Sequence, residues 1–265
     1  MLQLWRKPHT MVISPEGVIL NSGSKISRLV DMQLSLSNKP ALWTQVLTEF
    51  EENPISVAVT SPIRVIISNH YVRYAVLPWQ TGIYSQQDWQ SLAENHLRSV
   101  YGNVVDGWKI SVAMQGYGKP LLISAIDHTL LARLQDMASQ YHWTIDVIEP
   151  ALFSVVNHYR HKIKKEAWLM MVEPQRSVLA EIINDVIVQF TVAFPPESQE
   201  KTASVNLVKR ALKSQHKTDS VLIAIFGESQ LLVDFNMENI TLAPLSANKN
   251  TENTLTMGLM LSELT

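Results

Sequence analysis

The stretch IRVIISNHYVRYAVLPW, residues 63–79, decides how the rest of the chain is read. Ile63–Ser68 and Tyr71–Leu77 are rich in β-branched and aromatic residues and read as two strands. Asn69-His70 can close a tight turn between them, because Asn tolerates left-handed backbone angles. Alternation then puts Val72, Tyr74 and Val76 on one face and Tyr71, Arg73, Ala75 and Leu77 on the other. Pro78 has no N–H to give to a ladder and ends the second strand. An Arg, a His and two Tyr on one hairpin raise the question of an active site. An Arg on a strand beside Tyr71 is more often a stacked or cross-strand structural residue. The hairpin therefore reads as a beam of a scaffold, flanking a docking groove.

Upstream, TMVISPEGVIL reads as a short hairpin turning at Pro15-Glu16-Gly17, and NSGSKIS as a polar loop. Residues 41–52 carry apolar side chains at 42, 43, 46, 47 and 50, which is helical spacing. Downstream, the spacing predicts a helix over 86–101, capped by Ser85 with Asp88 three residues on, and striped by Trp89, Leu92, Ala93, Leu97, Val100 and Tyr101. WKISVAM and PLLISAI form a hairpin across QGYGK, and an amphipathic helix follows over 128–141. IDVIEP is a short strand stopped by Pro150, and ALFSVVNHYRHKI is a helix.

The pattern then begins again. AWLMMVE, SVLAEII and VIVQFTVAF make a three-strand meander with turns at Pro174-Gln175 and Asn184-Asp185. A helix over 201–214 precedes VLIAIF, an apolar run typical of a central strand buried on both faces. ITLAPL is a further strand and TLTMGLMLSEL a last helix. Each half has a meander, a helix, further strands and a helix. The expected fold class is mixed α/β in two lobes, residues 1–150 and 151–265, with the final helix, 254–265, packing back on the first lobe.

Composition narrows the function classes. At 46% hydrophobic and 17% charged, the 265 residues suit a folded core, and a net charge of −2 gives no field that steers the chain to nucleic acid or anionic lipid. Without a cysteine there is no disulfide, thiolate metal site or cysteine nucleophile. No apolar run approaches the ~18–20 residues that span a bilayer, and MLQLWRKPHT has none that suits a signal peptide. The expected location is the cytoplasm, with any membrane contact made through another chain.

Residues 63 to about 150 resemble the cytoplasmic actin-like proteins of type IV pilus and type II secretion machines, the PilM and GspL group. The resemblance is carried by SNHYVRYAVLPW (68–79), LAENHLRSVYG (92–102), Trp108, and ISAIDHTLLARL (123–134) running into IDVIEP (145–150). It implies the two-lobed actin-like, or ribonuclease-H-like, fold, with mixed sheets flanked by helices. It implies a scaffold that docks the cytoplasmic tail or domain of an inner-membrane assembly protein and helps couple assembly to a motor ATPase. The sequence ends at Thr265 without a transmembrane helix, so the expected arrangement is the PilM type, peripheral to the inner membrane through its partner.

Actin-like ATPases hold nucleotide phosphates with two glycine-containing turns, usually Asp-x-Gly, whose backbone approaches the anion closely. The first such position falls near ISPEGVIL, where Glu16 precedes Gly17 and no Asp stands in place. The second falls in MVEPQRSVLAE, where Pro174-Gln175-Arg176 follows Glu173 in place of a glycine turn. The adenosine loop usually has a Gly pair, and IFGES offers Gly227 alone. NSGSKIS lacks P-loop spacing. The expectation is a protein that is not an enzyme and takes no cofactor. The alternative is an ATP-binding actin-like ATPase with diverged phosphate loops, dependent on Glu173 or Glu181.

His158 and His161 lie three apart among Arg160, Lys162, Lys164 and Lys165, and such cations oppose a divalent ion. They read as a solvated basic helix end or as a contact for an acidic partner or membrane surface. No serine sits in a G-x-S-x-G elbow. Tyr74, Trp79, Trp89 and Trp108 read first as core, and alternatively as a groove for a partner peptide. The candidate partner-binding residues are His70, Arg73, Tyr74, Trp79 and Trp89, with no catalytic or metal-binding residue among the candidates.

Overall fold

Along the chain run the strands and helices His9–Ser14 (β1), Gly17–Asn21 (β2), Ile26–Arg28 (β3), Trp43–Glu52 (α1), Ile63–Ile67 (β4), Val72–Leu77 (β5) and Gln86–Tyr101 (α2). They continue with Trp108–Met114 (β6), Leu121–Asp127 (β7), His128–Gln140 (α3), Ile145–Pro150 (β8), Ala151–Tyr159 (α4), Glu166–Glu173 (β9) and Arg176–Ile183 (β10). Val186–Ala193 (β11), Glu200–Lys213 (α5), Val221–Gly227 (β12) and Ile240–Pro244 (β13) complete the series. The structure, a computed structural model, describes residues 9–22, 26–28, 43–53, 62–163, 165–194, 200–213, 221–227, 240–245 and 261. The expected last helix, 254–265, lies outside the described residues except at Leu261, as do parts of the NSGSKIS loop and the N-terminal ten.

The chain forms two compact units, one of residues 1–71, 130–158 and 246–265, the other of residues 72–129 and 159–245. They interleave in sequence and do not divide at a single boundary between 150 and 151.

In the first unit the sheet order is β3-β2-β1-β4-β8. β1 and β2 form the expected hairpin, Thr10↔Asn21 through Ser14↔Gly17. Gly17 closes it at φ 133°, a backbone conformation that side chains disfavour. β4 runs parallel to β1 and to β8, and Ile63, Val65, Ile66 and Ile67 have no exposure, as a central parallel strand requires. α1 presents Val46, Leu47 and Phe50 to the core, and Phe50 meets the edges of Tyr141 and Trp143 at 6.2 and 6.0 Å. Arg64 on β4 is ion-paired with Glu149 on β8 and donates to Ser154 Oγ at 2.9 Å. Arg133 joins α3 to α1 through Glu51.

This corrects the reading of residues 63–77 as one hairpin. β4 and β5 do not pair with each other, and they belong to different sheets. Asn69–Tyr71 is a turn of 3-10 helix, with Tyr71 N–H donating to Ser68 O at 3.0 Å and His70 N–H to Ser68 Oγ at 3.2 Å. The physical reason is burial. An Ile-rich strand is satisfied between two parallel neighbours, and β5, which carries Arg73 and is only half-buried at Arg73, Ala75 and Val76, takes an edge.

The second unit holds two sheets, ordered β5-β7-β6 and β11-β10-β9-β12-β13. β6 and β7 form the expected hairpin, Trp108↔Asp127 to Met114↔Leu121. The β9-β10-β11 meander turns at the two expected places, and Gln175, Asn184 and Asp185 take positive φ of 55°, 52° and 63°. β12 lies between β9 and β13, parallel to both. α5 buries Leu207, Val208 and Ala211 against Trp168, Met170 and Ile223 of this larger sheet.

Candidate functional site

The site grows from α2. Ser85 Oγ accepts the Asp88 N–H at 3.0 Å, and Asp88 Oδ2 accepts the Ser85 hydroxyl at 2.6 Å, which fixes where the helix starts. Gly102 ends it at φ 69°, its N–H returning to Arg98 O. Trp89, Ala93 and Leu97 pack on Leu77, Ile110, Leu121 and Ile123 of the small sheet. The apolar stripe then overruns that sheet, so Val100 is 62% exposed and Tyr101 39%. Tyr101 keeps an edge contact with Trp108 at 5.1 Å.

β5 is the edge of the small sheet and β11 the edge of the large one, and no ladder joins them. Side chains do so instead. Gln115 Nε2 donates to Ile187 O and Ile187 N–H donates to Gln115 Oε1, both at 2.8 Å. The same amide nitrogen donates to Pro120 O at 3.0 Å, which ties Ile187 to the β6–β7 turn. Midway, Tyr74 and Phe190 are 5.4 Å apart. At the other end Arg176 Nη2 donates to Val72 O at 2.9 Å. The order of these contacts sets β5 antiparallel to β11.

Between them lies a cavity of about 300 Å³. Tyr74, Ala75 and Val76 line it from β5, Val188, Gln189 and Phe190 from β11, and His96, Leu97, Val100 and Tyr101 from α2. Neither a carboxylate nor a Lys or Arg is among these side chains. Val104 at 57% and Phe194 at 63% exposure add to the apolar surface of the same unit.

Arg176 is buried, with its guanidinium 4.6 Å above the Phe194 ring. Burial pushes its pKa down to about 10, Glu173 opposes that shift, and Arg73 adds to it. Tyr74 and Tyr101 also favour this charge, weakly. On α2, Arg98 donates to Asp106 at 2.6 Å, and this exposed pair raises the Arg pKa and lowers the Asp pKa.

Of the five candidate residues, Tyr74 alone lines the cavity. Arg73 precedes it on β5, half-buried, and its Nη1 donates to Val72 O at 3.3 Å. Trp89 is core, 1% exposed, and Trp79 stands between Trp89 and the exposed Tyr117, 5.1 Å from each. His70 sits in the 3-10 turn of the other unit. Sequence reasoning missed His96, Gln189 and Phe190, and it placed Val100 and Tyr101 on the apolar stripe of α2 without marking them as a site. The available signal was a helical stripe running flush to Gly102.

The two positions where phosphate turns would stand differ in build. At the first, Ser14 Oγ–H donates to Gly17 O at 3.3 Å in a turn whose Ser14, Pro15 and Gly17 are buried. At the second, Gln175 holds the left-handed conformation, and the turn is flanked by buried Glu173 and Arg176. Among the described residues no three His, Asp or Glu side chains are grouped to hold a metal ion. His161 is exposed and His158 half-buried at their basic helix end. No described helix is long and apolar enough to cross a membrane.

The chain has the actin-like fold. It is similar to a Bacteroides thetaiotaomicron protein of actin-like ATPase fold and unknown function, at 10% identity and TM-score 0.63, covering 91% of each chain. It is similar to the cytoplasmic domain of EpsL, an inner-membrane component of the type II secretion system of Vibrio cholerae, at 9% identity and TM-score 0.56, covering 97% of this chain and 93% of that one. A chain of the PilM–PilN type IV pilus biogenesis complex matches at 10% identity and TM-score 0.60, covering 91% of this chain and 89% of that one. The resemblance read in residues 63–150 thus extends, at the level of fold, over nearly the whole chain. No family model matches the sequence, and no curated protein does.

Proposed function

We propose that the chain is a non-catalytic scaffold that docks the cytoplasmic tail or domain of an inner-membrane assembly protein of a type IV pilus or type II secretion machine. It is held at the membrane by that partner, and the motor ATPase is a second candidate contact. The carrying observation is the cavity bordered by Tyr74, Val100, Tyr101 and Phe190, with Val100 and Tyr101 exposed beside it. Apolar surface of this kind marks interaction sites. The fold shared with the EpsL domain and with the PilM–PilN complex supports the reading. So does the 173–176 turn, where a Gln side chain and a buried Arg stand in place of a glycine turn open to phosphate.

The test pairs two measurements on the full chain. Cytoplasmic segments of inner-membrane pilus and secretion proteins are titrated against it, and at least one is expected to bind at micromolar concentration. Thermal unfolding with millimolar Mg-ATP is expected to leave the midpoint unchanged. A ligand at about 100 times its Kd adds about 2.7 kcal/mol, a shift of roughly 5 °C or more for a chain of this size. A Mg-dependent shift of that order transfers the protein to the ATPases, and failure of every segment to bind removes the docking role.

A further inference from the structure

We infer that the β5–β11 surface takes an extended peptide segment of a partner protein, with one uncharged apolar side chain anchored in the cavity among Tyr74, Val100, Tyr101 and Phe190. The inference rests on the scaffold reading and names the chemistry of what is docked.

Three observations lead there. The lining has aromatic rings, aliphatic side chains, His96 and Gln189, and no carboxylate, Lys or Arg. A charged anchor would lose its hydration there without an ion partner, so the complementary anchor is neutral. Next, three consecutive residues of β11, Val188 to Phe190, line the cavity. The pairing of β11 with β10 skips Val188, a bulge that breaks the alternation of faces and leaves the outer edge of β11, where Ile187 lies, beside the cavity. That edge already accepts a peptide-like group, because the Gln115 carboxamide makes the two-point pairing with Ile187 that a neighbouring strand residue would make. An extended segment offers more of the same groups, whereas a helix has used its own. Last, Val100 is 62% exposed beside the cavity. Val100 also lines the cavity, so the cavity opens to solvent there and a chain can run out past its anchor.

The experiment titrates the ¹⁵N-labelled full chain with a pool of blocked hexapeptides, too short to hold a helix. The third residue is Leu, Ile, Phe or Trp, and the others are drawn from Ser, Thr, Gln and Gly. A matching pool carries Glu or Lys at the third position. Expected are saturable shifts at the amides of Val100 and Gln189 with the apolar pool, and at least tenfold weaker binding of the charged pool. Alternate N-methylation of the selected peptide, which removes strand donors, is expected to weaken it at least tenfold. Val100→Trp, a change at an exposed position that the fold tolerates, fills the cavity mouth and is expected to abolish the shifts. Equal binding of both pools, indifference to N-methylation, or no shift at millimolar peptide overturns the inference. So does a concentration-dependent dimer that Val100→Trp dissolves, since a second copy is then the occupant. An inner-membrane segment that binds Val100→Trp as tightly as the parent chain leaves the scaffold reading standing and sinks this one. Seated hexapeptides with no inner-membrane segment bound do the reverse.

Discussion

β5 has two neighbours and treats them differently. Toward β7 it forms an unbroken antiparallel ladder, Val72↔Ile126 to Leu77↔Leu121, beneath a helix that buries Trp89, Ala93 and Leu97. Toward β11 it makes no ladder, and Gln115, Arg176 and the Tyr74–Phe190 pair hold the two edges around a cavity. The first side is closed by backbone groups that any sequence of the right pattern supplies. The second is closed by particular side chains, so it can be changed, opened or filled without undoing the first. Binding surfaces come from the less stable parts of a fold for this reason.

The largest expected effect tests the closed side. Trp89→Ala removes a 1%-exposed side chain from the small-sheet core and is expected to cost about 3–5 kcal/mol in chemical denaturation. Val100→Ser, three turns on in the same helix, is expected to stay within about 0.5 kcal/mol of the parent. Equal losses would mean that both ends of α2 serve one core and that the two sides of β5 do not differ in kind. Gln115→Leu comes next. It strips the Ile187 N–H and C=O of their partner and is expected to cost about 1–3 kcal/mol. Its signature is local: amide exchange of Ile187 to Phe190 accelerates while the β5–β7 amides keep their protection. If the two sets of amides accelerate together, the seam is no weaker than the ladder.

A pH titration separates both from the first unit. His9 opens β1, is buried, and neither ring nitrogen has a hydrogen-bond partner among the described residues. Burial lowers its pKa from 6.5, because the charged imidazolium is the form that loses hydration. A depressed pKa means that the unfolded chain takes the proton first. Stability is therefore full above about pH 6.5 and falls as pH drops below it. His9→Leu is expected to remove that slope from equilibrium unfolding between pH 7 and 5, with Gln115→Leu leaving it intact. A parent chain whose stability does not change over that interval would contradict the burial assigned to His9.

The ladder side was legible in the sequence because its signals are local. Ser85 and Asp88 mark the start of α2, alternation marks β6 and β7, and the Ile-rich run of β12 marks a strand between two others. The partnering of β4 was not legible. Ile63–Ile67 reads the same whether its neighbour is β5, five residues on, or β1 and β8, and only the packed sheet chooses between them. The seam was invisible for the same reason. Val100 and Tyr101 continue a helical stripe without a flaw, and their exposure depends on where a sheet from elsewhere in the chain stops. Gln115 lies in a turn, where a polar residue needs no further explanation, and its pairing to Ile187 spans 72 positions. Residue type alone does not sort the aromatic residues: Trp89 is core, as first read, Tyr74 lines the cavity, and so does Phe190, which the sequence did not single out.

The smallest expected effect asks whether β11 itself is as firm as the ladder. Its hairpin with β10 turns at Asn184-Asp185, both at positive φ, the type I′ geometry that suits a right-twisted pair of strands. Gly is the preferred second residue of that turn, and Asp tolerates the left-handed region at a cost that Gly avoids. Asp185→Gly also loosens the unfolded chain, which offsets part of the gain. The net is an expected stabilisation of about 0.5 kcal/mol, a rise in Tm of roughly 1–2 °C. The informative quantity is where the gain is felt. Amides on the β10 side of β11 are expected to exchange more slowly, and Phe190 at the cavity edge to exchange as before, because its opening is governed by the Gln115 and Tyr74 contacts and not by the turn. Slower exchange at both edges would mean that β11 moves as one rigid strand and that the seam opens only with the hairpin behind it.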